Sequence, residues 1–275
     1  MLRTALVALL VGAVLSACGI RIQEYEFEDD HVVAEGITSV RAITGSGNVT
    51  IRHQPGLTET KIHRKVEHAK DNKPTQVSHR VEGSSLVLDG CGNNCEVNYT
   101  IAVPSATTTL VGDIGSGDLE VEGLASVDFI TGSGRVVVRD VAGDVKVKTG
   151  SGDFQATRVG GTVTANLGSG NIDLDAIKGK TLVNTSSGRI NGTSLESEVV
   201  ADADSGDVEL TLAAAKSVTV DTGSGEVIVR LPGGPYKVSG ESGSGERSIG
   251  VRTDPASQLE LKLTTGSGDV RVLQV

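Results

Sequence analysis

Between residues 117 and 272 apolar and polar residues alternate with a period of two, and the alternation restarts at a fixed landmark. Counted from the last glycine of each Gly-Ser-Gly-like triplet, positions +2 and +4 are Leu119/Val121, Val136/Val138, Phe154/Ala156, Ile172/Leu174, Ile190/Gly192, Val208/Leu210, Val227/Val229 and Val270/Val272. Positions +1 and +3 are mostly polar, which is the pattern of a half-buried strand. A third apolar column stands at +7: Leu124, Val141, Val159, Ile177, Leu195 and Ala213. A second strand, with inward pairs Val127/Phe129, Val145/Val147, Val163/Ala165, Thr181/Val183 and Val218/Val220, precedes the next triplet. Each unit reads strand, corner, strand, Gly-Ser-Gly turn. No apolar spacing of 3.6 residues persists, so no helix is predicted.

The triplet or a near variant occurs ten times, ending at Gly47, Gly117, Gly134, Gly152, Gly170, Gly188, Gly206, Gly225, Gly245 and Gly268. From Gly117 the steps are 17, 18, 18, 18, 18, 19, 20 and 23 residues. Two short strands cannot bury an apolar face alone, but identical units stacked on one another can. The expected fold is therefore all-β, a parallel β-solenoid of ~18-residue coils with Gly-Ser-Gly turns. Nine or ten coils at ~4.8 Å each make a rod roughly 45 Å long.

Seventy residues, not eighteen, separate Gly47 from Gly117. Alternating stretches at 59–68, 75–81, 86–89 and 96–103 predict hairpins that shield the first edge of the stack, since an open parallel edge invites pairing with other chains. The expected organisation is a signal peptide at 1–17, a modified cysteine and solvated tether at 18–36, a β-hairpin-rich N-terminal section at 37–110, and regular solenoid repeats at 111–275.

Composition fits a thin core. Aromatic residues are 2 % of the 275-residue chain and there is no tryptophan, while glycine numbers 36. A coil of two short facing strands admits only small and medium side chains. The formal charge of −10 argues against nucleic acid and anionic membrane surfaces as direct partners.

Arg3 followed by the apolar stretch 5–14 reads as an export signal, too short to span a bilayer. The ending Leu15-Ser16-Ala17-Cys18 resembles the lipobox of bacterial lipoproteins. That resemblance implies cleavage before Cys18 and acylation of its thiol, with palmitate among the chains, holding the protein to the membrane outside the cytoplasm; a plain secretory signal is the alternative. In that compartment Cys91-Gly-Asn-Asn-Cys95 is expected as a local disulfide, with a zinc site that borrows His79 as the competing reading.

The repeated Thr149-Gly150-Ser151-Gly152-Asp153-Phe154 and Thr265-Gly266-Ser267-Gly268-Asp269-Val270 pattern resembles the DUF4097 family of candidate adhesins, over about residues 36–275. The resemblance implies a bacterial surface or membrane-attached β-solenoid and supplies no catalytic residues.

The residues after the triplets, Asn48, Asp118, Arg135, Asp153, Asn171, Arg189, Asp207, Glu226, Glu246 and Asp269, are expected to form a stacked ladder. Interleaved arginine and asparagine would relieve repulsion between its carboxylates. The acidic last four admit a weak calcium site. His63, His68 and His79 fall on adjacent predicted strands, where a metal site competes with plain surface histidines. No helix follows the glycine triplets and no lysine recurs beside them, so they are not read as phosphate loops. No nucleophile, base and orienting group stand out together. The expected role is a non-catalytic, lipid-anchored cell-envelope scaffold for a protein or glycan partner, without cofactor or resident metal. An envelope-stress sensor accessory and a glycan-active β-helix enzyme are the rival readings. A partner surface is expected at the C-terminal end, at Ile228, Tyr236, Val270 and Val272, where a strand without a cap leaves unpaired backbone groups. The alternative there is an irregular segment folded back over the edge.

Overall fold

The computed structural model describes residues 24–275. The expected signal peptide and Cys18 lie outside the described residues. The N-terminal part contains β1 (Glu24–Val33), β2 (Ser39–Ser46), β3 (Val49–His53), β4 (Thr60–Ala69), β5 (His79–Glu82), β6 (Ser85–Asp89), β7 (Cys95–Val103), β8 (Thr109–Ser116) and β9 (Leu119–Glu122). Then come paired strands, two to a repeat: β10 (Ser126–Ser133) with β11 (Val136–Val141), β12 (Val145–Ser151) with β13 (Phe154–Val159), and β14 (Val163–Ser169) with β15 (Ile172–Ile177). The series goes on through β16 (Thr181–Ser187), β17 (Ile190–Leu195), β18 (Val199–Ser205), β19 (Val208–Leu212), β20 (Val218–Ser224) and β21 (Val227–Leu231). Three short strands, β22 (Lys237–Ser239), β23 (Ser242–Ser244) and β24 (Arg247–Ile249), precede β25 (Glu260–Ser267) and β26 (Val270–Gln274).

These strands build two largely parallel sheets of 13 strands each. Odd-numbered strands from β9 to β21 form the middle of one, and even-numbered strands from β8 to β20 the middle of the other. Register follows the apolar columns: Val136 pairs with Phe154, Phe154 with Ile172, Ile172 with Ile190, Ile190 with Val208, and Val208 with Val227. The columns named from the sequence are buried on the inner faces of both sheets. Each such aliphatic side chain contributes roughly 1.5–3 kcal/mol when fully buried. Gly112 interrupts one column, and the ring of Phe129, its partner in the next strand, fills the space, lying 2.6 Å from where a Cβ would stand. One column shifts: Ala213 is exposed and Leu212 takes its place, because the register slips between β17 and β19 so that Leu195 pairs with Leu212.

Strand order is not sequence order at either end. After β2 and β3 the chain moves outward to build β4 through β7, then returns to lay β8 and β9 on the inner side of the first coil, giving β1-β4-β7-β3-β9 and β5-β6-β2-β8. The outer strands pair antiparallel, β1 with β4, β4 with β7 and β5 with β6. Thus the stretch expected as a solvated tether is, from Glu24 onward, a ten-residue edge strand. Its alternation of acidic and inward-facing residues suits a sheet whose neighbour, β4, carries Lys61, Arg64 and Lys65. The strand expected at 75–81 forms only from His79, after Pro74 and a loop.

At the other end the chain runs out to β22–β24 and then inserts β25 and β26 inside them, so that β26 lies between β21 and β24. This arrangement overturns three of the residues expected on a partner surface. Val270 and Val272 are fully buried in the core, and so is Tyr236, whose hydroxyl donates to the Pro232 carbonyl at 2.8 Å. Ile228 is half-buried in the outward row between Glu209 and Arg271. The outermost coil is short and polar, with Ser239, Glu241, Ser242, Ser244, Glu246 and Arg247, which is how an edge is kept from pairing.

Candidate functional site

The outward turn ladder is the most regular surface. At the position after the triplet, a side-chain oxygen accepts the backbone N–H of the next coil: Asn98 from Asn48, Asn48 from Asp118, Asp118 from Arg135, Asp153 from Asn171, Asn171 from Arg189, Asp207 from Glu226 and Asp269 from Glu246, at 2.7–3.0 Å. Asp and Asn stand here because they can accept at this reach, whereas the interleaved arginines cannot. The sequence pattern suggested charge spacing; hydrogen bonding between coils is the physical reason. The spatial order of the last carboxylates is Glu226, Asp269, Glu246, and Arg271 binds the first two at 2.8 and 2.9 Å. The negative charge there is already matched by a guanidinium.

Further ion pairs cross from coil to coil on both faces: Arg52 and Arg139 on Glu120, Lys146 on Asp128, and a two-pronged Arg158–Asp140 pair with both contacts at 2.6 Å. Asp140 and Arg158 stand, with Ala176 and Ser194, at a corner that takes the left-handed conformation in four successive coils, φ 54–56°. The outward faces also carry a few aliphatic side chains. Ile43, Val111 and Ile130 are more than 40 % exposed and lie on β2, β8 and β10.

The three histidines do not converge. His63 Nδ1 pairs with Asp30 at 2.9 Å on the outer face, His68 Nδ1 bonds the Ala69 carbonyl at 2.8 Å, and His79 packs against His31. Among the described residues no group of three His, Cys, Asp or Glu side chains is arranged to hold a metal. Cys91 and Cys95 are joined in a disulfide with Cα atoms 5.6 Å apart. A groove of about 460 Å³ lies between that loop and the end of β4, lined by Glu67, His68, Asn94 and Glu96. Lys65 sits 3.2 Å from Glu67.

Sequence reasoning missed a polar cluster under the N-terminal cap. Arg64, its side chain 3 % exposed, forks onto Asp29 and donates to Ser78 Oγ at 2.9 Å. The Tyr99 hydroxyl meets Ser78 Oγ at 2.6 Å and the Asp89 carbonyl at 2.8 Å. The hydrogen bond from Arg64 holds the Asp29 carboxyl below the usual carboxylate range. Burial pushes the Tyr99 phenol up to about 12 and brings His79 down to about 4, the latter helped by the nearby His31 and Arg64. Ser78 Oγ faces a guanidinium and a neutral phenol rather than a base, so the cluster does not make a nucleophile. It satisfies buried polar groups and fixes the cap. The signal was present in β4, where Arg64 shares the inward parity of Ile62 and Val66.

Two solved structures are similar to the chain. A candidate adhesin of Bacteroides fragilis is 13 % identical, with 93 % of this chain and 100 % of that one covered and a TM-score of 0.47. A candidate cell adhesion protein of Clostridium sporogenes is 12 % identical, with 91 % and 100 % covered and a TM-score of 0.24. A search of curated proteins finds no match. Residues 43–273, nearly all of the stacked strands, match the family described as Toastrack DUF4097, and the chain belongs to that family.

Proposed function

We propose that the protein is a non-catalytic, adhesin-like scaffold of the bacterial cell envelope, anchored by lipid on Cys18 and presenting its solenoid to a protein or glycan partner. In this reading residues 1–17 are removed on export, and palmitate is among the chains on Cys18; two or more acyl chains give stable anchoring where one does not. Residues 37–110 cap the rod, and residues 111–275 form its stacked coils of about 18 residues.

The observation that carries the reading is the unbroken run of strands from β9 to β21, seven in one sheet, joined by short corners and faced with ion-paired side chains. Such a surface offers many equivalent polar contacts along one axis, which suits weak, repeated binding to a long partner.

Labelled palmitate and membrane fractionation test the anchor. The intact chain should take up label and sediment with membranes, and Cys18→Ser should do neither. An intact chain that takes up no label would sink the anchored reading.

A further inference from the structure

Among the described residues β1 and β5 are the outermost strands of the two sheets at the N-terminal end, each paired on one side only. They meet through His31 and His79, whose ring centroids lie 4.7 Å apart at 66°. His79 Nδ1 is buried without a hydrogen-bond partner, whereas His31 Nε2 lies 3.1 Å from Asp29 Oδ1. A buried imidazole nitrogen without a partner is costly unless the arrangement has a use.

The groups facing the pair can be named strand by strand. From β1 comes Asp29, and from β4 comes Arg64, forked onto Asp29 and bonded to Ser78. From β7 comes the Tyr99 hydroxyl, which is occupied by Ser78 and the Asp89 carbonyl. On β5 and β6, Arg80 pairs with Glu82 and Asp89. His63 and Asp30 pair on the opposite face of β1 and β4. At neutral pH the site therefore holds the Arg64 guanidinium, the Asp29 carboxylate and the uncharged His79 ring. A proton on His79 adds a cation beside Arg64 with no carboxylate paired to it, because Asp29 is engaged by Arg64 and His31.

Of the two strands in contact, β5 is the weaker. It has four residues and follows the loop at 70–78, whereas β1 has ten residues in continuous register with β4 and the buried Asp29–Arg64 pair. We propose that residues 70–82 form an acid-released flap, held shut by the packing of His79 on His31, which lifts when His79 takes a proton and uncovers Arg64 and Tyr99 while the stacked coils stay folded. The burial that keeps His79 uncharged down to about pH 4 agrees with a closed flap at neutral pH.

Hydrogen exchange on the whole folded chain, expressed as protection factors so that the intrinsic pH dependence cancels, tests this directly. Amides at 79–82 should lose at least tenfold in protection between about pH 6.5 and 4, while those of β12 to β19 change less than twofold. His79→Phe should keep the protection at neutral pH and abolish the loss in acid. His79→Leu should do the same and serves if the first variant does not fold. The proposal is overturned by loss at β1 in place of 79–82, by equal loss in every coil, by no loss at all, or by a response that persists in either variant. In the unmodified chain a midpoint at or above the ordinary histidine value of 6.5 would overturn it as well.

Discussion

Gly152→Ala puts the stacking of the coils to its sharpest test. Gly152 has φ +141°, a conformation that alanine rarely adopts, and an added Cβ would stand 2.0 Å from the carbonyl oxygen and 2.7 Å from the carbonyl carbon of Gly134 in the preceding coil. No side chain can move aside, since the obstacle is backbone. Relief requires the turn to shift by more than an ångström, which breaks the bonds from Gly152 N–H to Ser169 and from Gly134 N–H to Ser151, now 2.9 and 3.0 Å. Two backbone hydrogen bonds at about 1 kcal/mol each, with about 1–3 kcal/mol of backbone strain, give a loss of about 3–5 kcal/mol. The control is Gly150→Ser two residues earlier. Its added Cβ would lie 2.7 Å from Gly132 O, yet Ser186 and Asp204 occupy the equivalent place in two other coils. That change should cost about 1 kcal/mol or less. Urea denaturation gives the comparison, with hydrogen exchange to localise the damage, because a stack of repeats need not unfold in one step. A Gly152→Ala chain as stable as the parent, or a Gly150→Ser chain equally damaged, would refute the reasoning.

Ala176→Gly should be neutral or stabilising by about 0.5 kcal/mol, read as a raised urea midpoint, because the left-handed cost at φ 55° slightly exceeds the entropy of a glycine. Asp153→Ala removes the acceptor of the Asn171 N–H and should cost about 1 kcal/mol, whereas Asp153→Asn keeps that oxygen and should cost little. Equal losses in the two variants would show that charge rather than hydrogen bonding governs the ladder. Arg64→Met takes the guanidinium from Asp29 and leaves Ser78 Oγ with Tyr99 alone, and should cost about 3 kcal/mol, with exchange rising first in β1 and β4. Since folded His79 takes its proton only near pH 4, against 6.5 for a free imidazole, the unfolded chain binds that proton first. Its contribution to stability is therefore complete above about pH 6.5 and declines as the pH falls toward 4; urea midpoints that rise over that range would contradict the sign.

What could be read from the sequence was local. Period-two alternation placed Val136, Phe154, Ile172 and Val208 on inner faces because a strand's side-chain direction is fixed by its own backbone. The turn ladder was visible as a column, but its role was not, since the spacing of Asp and Asn carries no information about which N–H lies across the turn. The ends were illegible for a different reason. Whether β26 ends the stack or is inserted beneath β24 depends on pairing between segments more than twenty residues apart, and alternation is the same in either case. Tyr236 looked like a loop aromatic because it follows Pro-Gly-Gly-Pro, yet its ring is buried in the core with Pro232 as hydroxyl partner. Arg64 was obscured because a charged residue in a strand is usually assigned to the solvent face, although its parity with Ile62 and Val66 pointed inward.

The central claim, a binding rod without catalysis, is tested most directly by incubating the purified folded chain with isolated envelope polymers and measuring, in one sample, the bound fraction against concentration and the length distribution of the polymer. The account predicts saturable binding with the polymer length unchanged over prolonged incubation. Progressive shortening of the polymer, or no binding at any concentration, would contradict it.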